Sequence, residues 1–223
     1  MNDTKEKENV DERFNDFAQK NRTAIFIALG VLVLALIAFV GVFSISNALR
    51  NKAVAEVQEL TEKYNKLQPQ NADDQAGELE SLLDEARAFA EKTRGYAGAR
   101  AWAIVAAIHG ERKEWAETEE AWAAAAVLAK KTYLSPIAWY NAGGAAEEQG
   151  KTEQALEYYQ KSIAVPADFP AAPQAQFSIG RLLESSGDIE AAIEAYRNVI
   201  SGWSYDTVWK ELAHSRIVAL EAR

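Results

Sequence analysis

The sequence predicts an all-α protein in which one apolar helix near the amino terminus is followed by an α-solenoid of antiparallel helix pairs. Three observations lead there. Residues 24–45, AIFIALGVLVLALIAFVGVFSI, form 22 consecutive residues without a charge. From Ala53 onward apolar residues recur at three- and four-residue steps, the period of a helix with one buried face, and no convincing strand pattern interrupts them. From about residue 97, similar residues also recur at a fixed step of 37.

The first segment, residues 1–22, is MNDTKEKENVDERFNDFAQKNR, with five basic and six acidic residues. It is densely charged up to Arg13 and reads as a disordered polar tail. Phe14 and Phe17 stand one helical turn apart and either lie at the membrane surface or extend the following helix. Residues 23–46 are read as the transmembrane helix: at about 1.5 Å per residue the apolar run spans the roughly 30 Å bilayer core. Ser44 and Ser46 are spaced like a cleavage site, which admits a cleaved signal peptide, but signal cores run only about 7 to 15 residues, so an uncleaved signal anchor is expected. Lys20 and Arg22 precede the span and Arg50 and Lys52 follow it, leaving Arg13 a slight excess on the amino-terminal side. A short tail before one span and a large domain suits an amino terminus inside and a carboxy-terminal domain exported.

Residues 47–95 are expected to form a helical stalk or hairpin. Ala53, Val54, Val57, Leu60, Tyr64 and Leu67 share one helix face, which ends near Pro69. The polar linker QPQNADDQAG follows. Leu79, Leu82, Leu83, Ala86 and Phe89 share the face of a second helix, stopped by Gly95. A coiled-coil dimer through the first helix is the rival arrangement. RGYAG at 94–98 reads as a turn.

Residues 96–203 hold the repeats. The 37-residue step carries Trp102 to Trp139, Val105 to Ala142 to Ile179, and Ala106 to Gly143 to Gly180. It also carries Thr118 to Ala155 to Ala192 and Trp122 to Tyr159 to Tyr196. This resembles the tetratricopeptide repeat, with its period of about 34 residues and its pattern W-x2-L-G-x2-Y, A-x3-F, P. The middle unit reads Trp139-x2-Ala142-Gly143 and then Ala155-x3-Tyr159; the third reads Ile179-Gly180 with Leu183, then Ala192-x3-Tyr196. The extra residues fall in loops such as VPADFPAAP, whose prolines break helices. The first unit departs most, with Thr118 in the alanine place and Lys113 in the place of the turn glycine. Residues 204–223 are expected to form a final helix covering the open end through Val208, Leu212, Ile217 and Leu220.

Composition excludes several functions. Subtracting the tail's −1 from the chain's −9 leaves −8 after the membrane helix, which argues against nucleic-acid binding and against adhesion to anionic lipid. The chain has no cysteine, so disulfides, thiolate metal sites and thiol catalysis are out of reach. His109 and His214 are the only histidines and lack metal-ligand spacing. No phosphate-binding or dinucleotide signature is present. The chain therefore reads as a non-enzyme with no cofactor and no metal. Trp102, Trp115, Trp122 and Trp139 are expected to pack helix against helix; Trp203 and Trp209 either cap the solenoid or dock a partner.

In tetratricopeptide domains the first helix of each pair lines the concave groove. Transferring the register places Arg100, Ile104, Tyr140, Asn141, Gly144, Glu147, Glu148, Phe177, Arg181 and Glu184 there, a mixed aromatic and polar wall suited to peptide segments. Domains of this family that grip a terminal carboxylate use inner lysines, asparagines and an arginine; only Asn141 matches, so no such clamp is expected. Gly143 occupies the small-residue place where the first helix crosses the second near Ala155. Gly144 should point into the groove, where it either leaves room for a ligand backbone or is simply tolerated.

The short tail with RFNDFAQKNRTAIF, the single span and the acidic repeat domain are together similar to the YfgM-like ancillary subunits of the SecYEG translocon. That resemblance implies a single-pass protein of the inner membrane with a periplasmic repeat domain. It would meet periplasmic chaperones and assist exported chains. A structural scaffold with a fixed protein partner in cell-wall or outer-membrane assembly is the alternative.

Overall fold

The computed structural model describes residues 19–67, 76–130, 132–164, 169–203 and 207–222. The tail with Phe14 and Phe17, most of the linker after Leu67 and the first part of the VPADFPAAP loop lie outside the described residues. The chain divides into two units, Met1–Lys52 and Ala53–Arg223.

In the first unit the described residues are helical, and they belong to α1 (Arg22–Leu67) from Arg22 on. Phe26, Leu34, Phe39 and Val42 all leave more than three fifths of their surface uncovered. The apolar stretch of this helix is uncovered along its length. A helix apolar on every side has no core of its own to join, and its length and composition are those of a membrane span. A signal sequence shares that character.

The second unit is built of helices throughout its described residues. α1 continues from Ala53, and α2 (Ala76–Lys92) packs against it: Leu60 meets Leu82, Leu83 and Ala86 in one buried cluster, and Lys63 Nζ reaches Glu85 at 3.0 Å. α3 (Gly95–Glu111) adds Ile104, Val105 and Ile108 to that cluster. Gly95–Gly98 is thus the first turn of α3 rather than a free turn. Gly98 is required there, because a Cβ would collide with the carbonyl oxygen of Thr93.

Three antiparallel pairs follow in order: α3 with α4 (Trp115–Leu128), α5 (Leu134–Glu148) with α6 (Thr152–Ala164), and α7 (Ala172–Ser185) with α8 (Ile189–Gly202). α9 (Thr207–Glu221) closes the stack. The turns inside the pairs share one geometry. Lys113, Gly150 and Gly187, spaced by 37, all adopt the left-handed conformation, at φ 59°, 71° and 86°. In each turn the residue after this position donates its N–H to a carbonyl five residues back, Glu114 to His109, Lys151 to Ala146 and Asp188 to Leu183, all at 3.0 Å. That is the bond that closes a helix carboxy terminus on a left-handed residue. Lysine serves in the first turn despite its Cβ.

Within a pair the helices approach at a glycine. A Cβ on Gly143 would lie 2.8 Å from the ring of Tyr159, and one on Gly180 would lie 2.6 Å from the ring of Tyr196. The neighbour of Gly143 is thus the aromatic residue of the second helix, one turn beyond the expected Ala155. In the first pair Ala106 holds the equivalent place, and Trp122 of α4 packs against the cluster that contains it. Adjacent pairs are joined by Glu119, 8% exposed, which accepts hydrogen bonds from Gln149 Nε2 (2.9 Å), Lys151 Nζ (2.8 Å) and Tyr158 Oη (3.2 Å). Burial and the nearby carboxylate push the pKa of the Tyr158 hydroxyl up to about 12.

α9 docks through Ala213, Ile217 and Leu220 against Ala192, Tyr196 and Val199. Val208 and Leu212, expected on the buried face, are exposed instead. Trp209 takes their part, with its ring 5.3 Å from that of Phe177. Trp203 packs beside the cluster around Phe169 and Ile179. Both carboxy-terminal tryptophans therefore contribute to packing.

Candidate functional site

Two first helices, α5 and α7, carry a glutamate that recurs at the 37-residue step, Glu147 and Glu184, and each is bonded in the same way. On α5, Glu147 accepts a hydrogen bond from Tyr159 Oη at 3.1 Å and is held at both oxygens, at 2.6 and 2.7 Å, by Arg181 of α7. One step on, Glu184 accepts from Tyr196 Oη at 3.0 Å and pairs with Arg216 of α9 through Nε at 3.1 Å and through Nη2. The second and third units thus each tie their aromatic second helix to their own first helix. The next element in the chain then supplies an arginine to the same carboxylate. Burial, with the carboxylate beside it, raises the pKa of both phenols, that of Tyr196 to about 12 and that of Tyr159 further.

The ladder is missing at the first junction. One step back from Glu147 stands Gly110, one step back from Arg181 stands Gly144, and one step back from Tyr159 stands Trp122, which has no hydroxyl. The three losses coincide in space. They leave an open cleft of about 410 Å³ whose lining includes Gly110, Trp115, Trp122, Tyr140, Asn141, Gly144 and Glu148. The Cβ position of Gly144 has a single neighbour within 4 Å, Tyr159 Oη at 3.9 Å, so this residue does open toward the cleft. Tyr140 forms one wall, with its ring centroid 5.5 Å from that of Tyr159 and 6.0 Å from that of Phe169. Burial is the main reason its hydroxyl is also shifted upward.

Of the eight residues chiefly expected in the groove, Tyr140, Asn141 and Gly144 are brought together here. Glu147 and Arg181 line the same face of the stack but neutralise one another across the second junction. Phe177 is flanked by the rings of Tyr196 at 5.1 Å and Trp209 at 5.3 Å. Arg100 and Ile104 lie elsewhere. Arg100 donates to Gln58 (3.1 Å) and Thr61 (2.9 Å) of α1, and Ile104 is 5% exposed among Leu60 and Leu82. α1 engages both positions, which a repeat pattern taken alone leaves open. Of the additional residues, Glu148 lines the cleft and Glu184 belongs to the ladder.

Gly110, Trp115 and Trp122 line the cleft although the sequence does not place them in the groove. The two tryptophans are expected from the sequence only to pack helices together, yet both remain partly exposed. Applying the 37-residue step to Glu147 and Arg181 finds the gap, since it lands on two glycines. His109 is a packing group: Arg87 Nη2 donates to its Nε2 at 2.8 Å, which leaves Nδ1–H to donate to Glu114 at 2.5 Å. Among the described residues no cluster of three or more acidic, histidine or cysteine side chains has a metal-binding arrangement.

Comparison with known proteins agrees with this architecture. The tetratricopeptide repeat family matches residues 114–169 and, in a second profile, residues 173–201. A "TPR repeat-containing protein" of Treponema pallidum (strain Nichols) is 38% identical over 126 residues, which is 56% of this chain and 52% of that protein. The chain thus spans about half the length of the curated relative it matches. A crystal structure of Podosopora anserina putative kinesin light chain, with nearly identical TPR-like repeats, superposes with a TM-score of 0.54 at 11% identity. The superposition covers 74% of this chain and 86% of that one. A point variant of the same protein gives the same TM-score and identity over 74% and 85%. At such identity the likeness is one of fold. The chain carries tetratricopeptide repeats, which mark it as a protein-interaction module.

Proposed function

We propose that this chain is a membrane-anchored module that holds segments of exported proteins on the inner face of its repeats, near the Sec translocon and in company with periplasmic chaperones. The observation that carries the reading is the cleft at the first junction. It is an aromatic-walled opening on the face that such repeats use for recognition, where Gly110, Trp122 and Gly144 stand in the places that Glu147, Tyr159 and Arg181 hold one repeat later. The apolar helix Arg22–Leu67 supports a membrane anchor; in this reading the membrane is the inner one and the repeat domain lies in the periplasm. Tethering would hold that domain at high effective concentration beside emerging chains, so weak contacts would suffice. The domain plan that follows is a polar tail through residue 22, an anchor over 23–46, a hairpin to residue 95, three repeats to residue 203 and a closing helix.

Photocrosslinking from a benzoylphenylalanine placed at Tyr140 or Asn141, in intact cells, tests this. Adducts to translocon subunits, chaperones or nascent exported chains are expected. Adducts to none of these would overturn it.

A second reading, a scaffold with one fixed partner in envelope assembly, draws on a different observation. α9 leaves Val208, Leu212 and Val218 exposed at the end of the stack, 63%, 44% and 53% respectively. It predicts one co-purifying protein at fixed stoichiometry, lost when these three residues are made polar.

A further inference from the structure

We infer that the cleft at the first junction takes a cationic side chain, arginine or lysine, from the bound protein segment. That side chain would stand where the chain's own arginines stand at the two later junctions. The inference rests on the reading of the inner face as the binding surface and specifies what that surface selects. Arg181 and Arg216 each reach from the following element into a space bounded by a carboxylate and an aromatic residue. At the first junction the position one step before Arg181 is Gly144, and no side chain among the described residues fills the space.

What lines the space suits a cation. Trp115, Trp122 and Tyr140 present aromatic surface, and the face of an indole or phenol ring attracts guanidinium and ammonium groups. Glu148 is the one charged residue in the described lining, and it makes no ion pair or hydrogen bond among the described residues. Its carboxylate is therefore available, whereas Glu147 one residue earlier is already neutralised by Arg181. The chain's net charge of −9 favours the approach of basic segments in the same sense. An apolar side chain would fill the volume equally well but would leave Glu148 with only water for a partner.

Selection of a random peptide library on the full-length chain in nanodiscs tests the inference. Recovered peptides are expected to share one basic position. Replacing arginine there by uncharged citrulline should weaken binding by about tenfold, as should Glu148→Gln. Gly144→Arg, which places in the cleft the residue found one repeat later, should abolish binding without loss of helix content. Recovered peptides with a bulky apolar residue and no shared basic position, indifferent to Glu148→Gln but blocked by Gly144→Arg, would overturn the cation assignment and leave the groove reading standing. No recovery above empty nanodiscs, or recovery indifferent to Gly144→Arg, would overturn both.

Discussion

Gly143 lies against the ring of Tyr159 so closely that a single added carbon on its backbone would stand 2.8 Å from two ring atoms. The ring is anchored by its hydroxyl on Glu147 and is mostly buried, so it has little freedom to retreat. Gly144 has ordinary van der Waals space, with nothing closer than 3.9 Å. Replacing Gly143 by alanine should therefore cost about 1–3 kcal/mol through overpacking. The same change at Gly144 should be neutral or stabilising by up to about 1 kcal/mol, because alanine is the better helix former. Urea unfolding of the two variants followed by circular dichroism separates them; equal losses would refute the distinction.

The Glu147–Arg181 pair is partly solvated, with side chains 28% and 47% exposed. A double-mutant cycle with Glu147→Gln and Arg181→Gln should give a coupling of about 1 kcal/mol or less, the range of exposed ion pairs. It should shrink as salt is raised. A coupling well above this would mean that the ladder is a principal source of cohesion between repeats.

Lys113 occupies a left-handed position at φ 59° where the other two turns have glycine. Lys113→Gly should stabilise the protein by about 0.5–1 kcal/mol, since the side chain no longer crowds the backbone there. Thermal melting shows this as a higher midpoint. Gly150→Lys, the reverse exchange in the second turn, should lower it.

Tyr158 and Tyr196 have folded-state values near 12, against about 10 in an unfolded chain. A group whose proton is held more tightly in the folded state stabilises the fold fully below its unfolded value and loses that contribution as pH rises through its folded value. Stability should thus fall between about pH 10 and 12 as the unfolded phenols ionise first. Tyr196→Phe should flatten the fall, read from urea midpoints across this range.

The helices themselves are written in the local pattern. Val57 and Leu60, Leu82 and Ala86, and Ala192 and Tyr196 are buried as their spacing predicts, because a helix face depends only on residues three and four apart. The 37-residue step also foretells that Gly143 and Gly180 occupy equivalent places. It does not foretell which α9 residues are buried. Val208 and Leu212 satisfy the periodicity as well as Ile217 does, and the choice falls to Trp209, which finds the ring of Phe177.

By itself the sequence determined the all-α class, the repeat register, the turn positions and a helix with the length and apolarity of a membrane span. All of these follow from periodicity and composition along a single chain. Only the tertiary structure decided which of the equivalent positions remain accessible. Ile104 stands one step before the cleft residue Asn141, yet α1, from outside the repeats, covers it, and α1 also binds Arg100. Glu147 and Arg181 read as two independent charges in the sequence but form one neutral pair in space. At the first junction, where Gly110, Gly144 and Trp122 stand in the places of Glu147, Arg181 and Tyr159, three residues separated along the chain meet in a single opening. Accessibility is a property of what packs on a surface, and that is set by contacts between segments the sequence keeps apart.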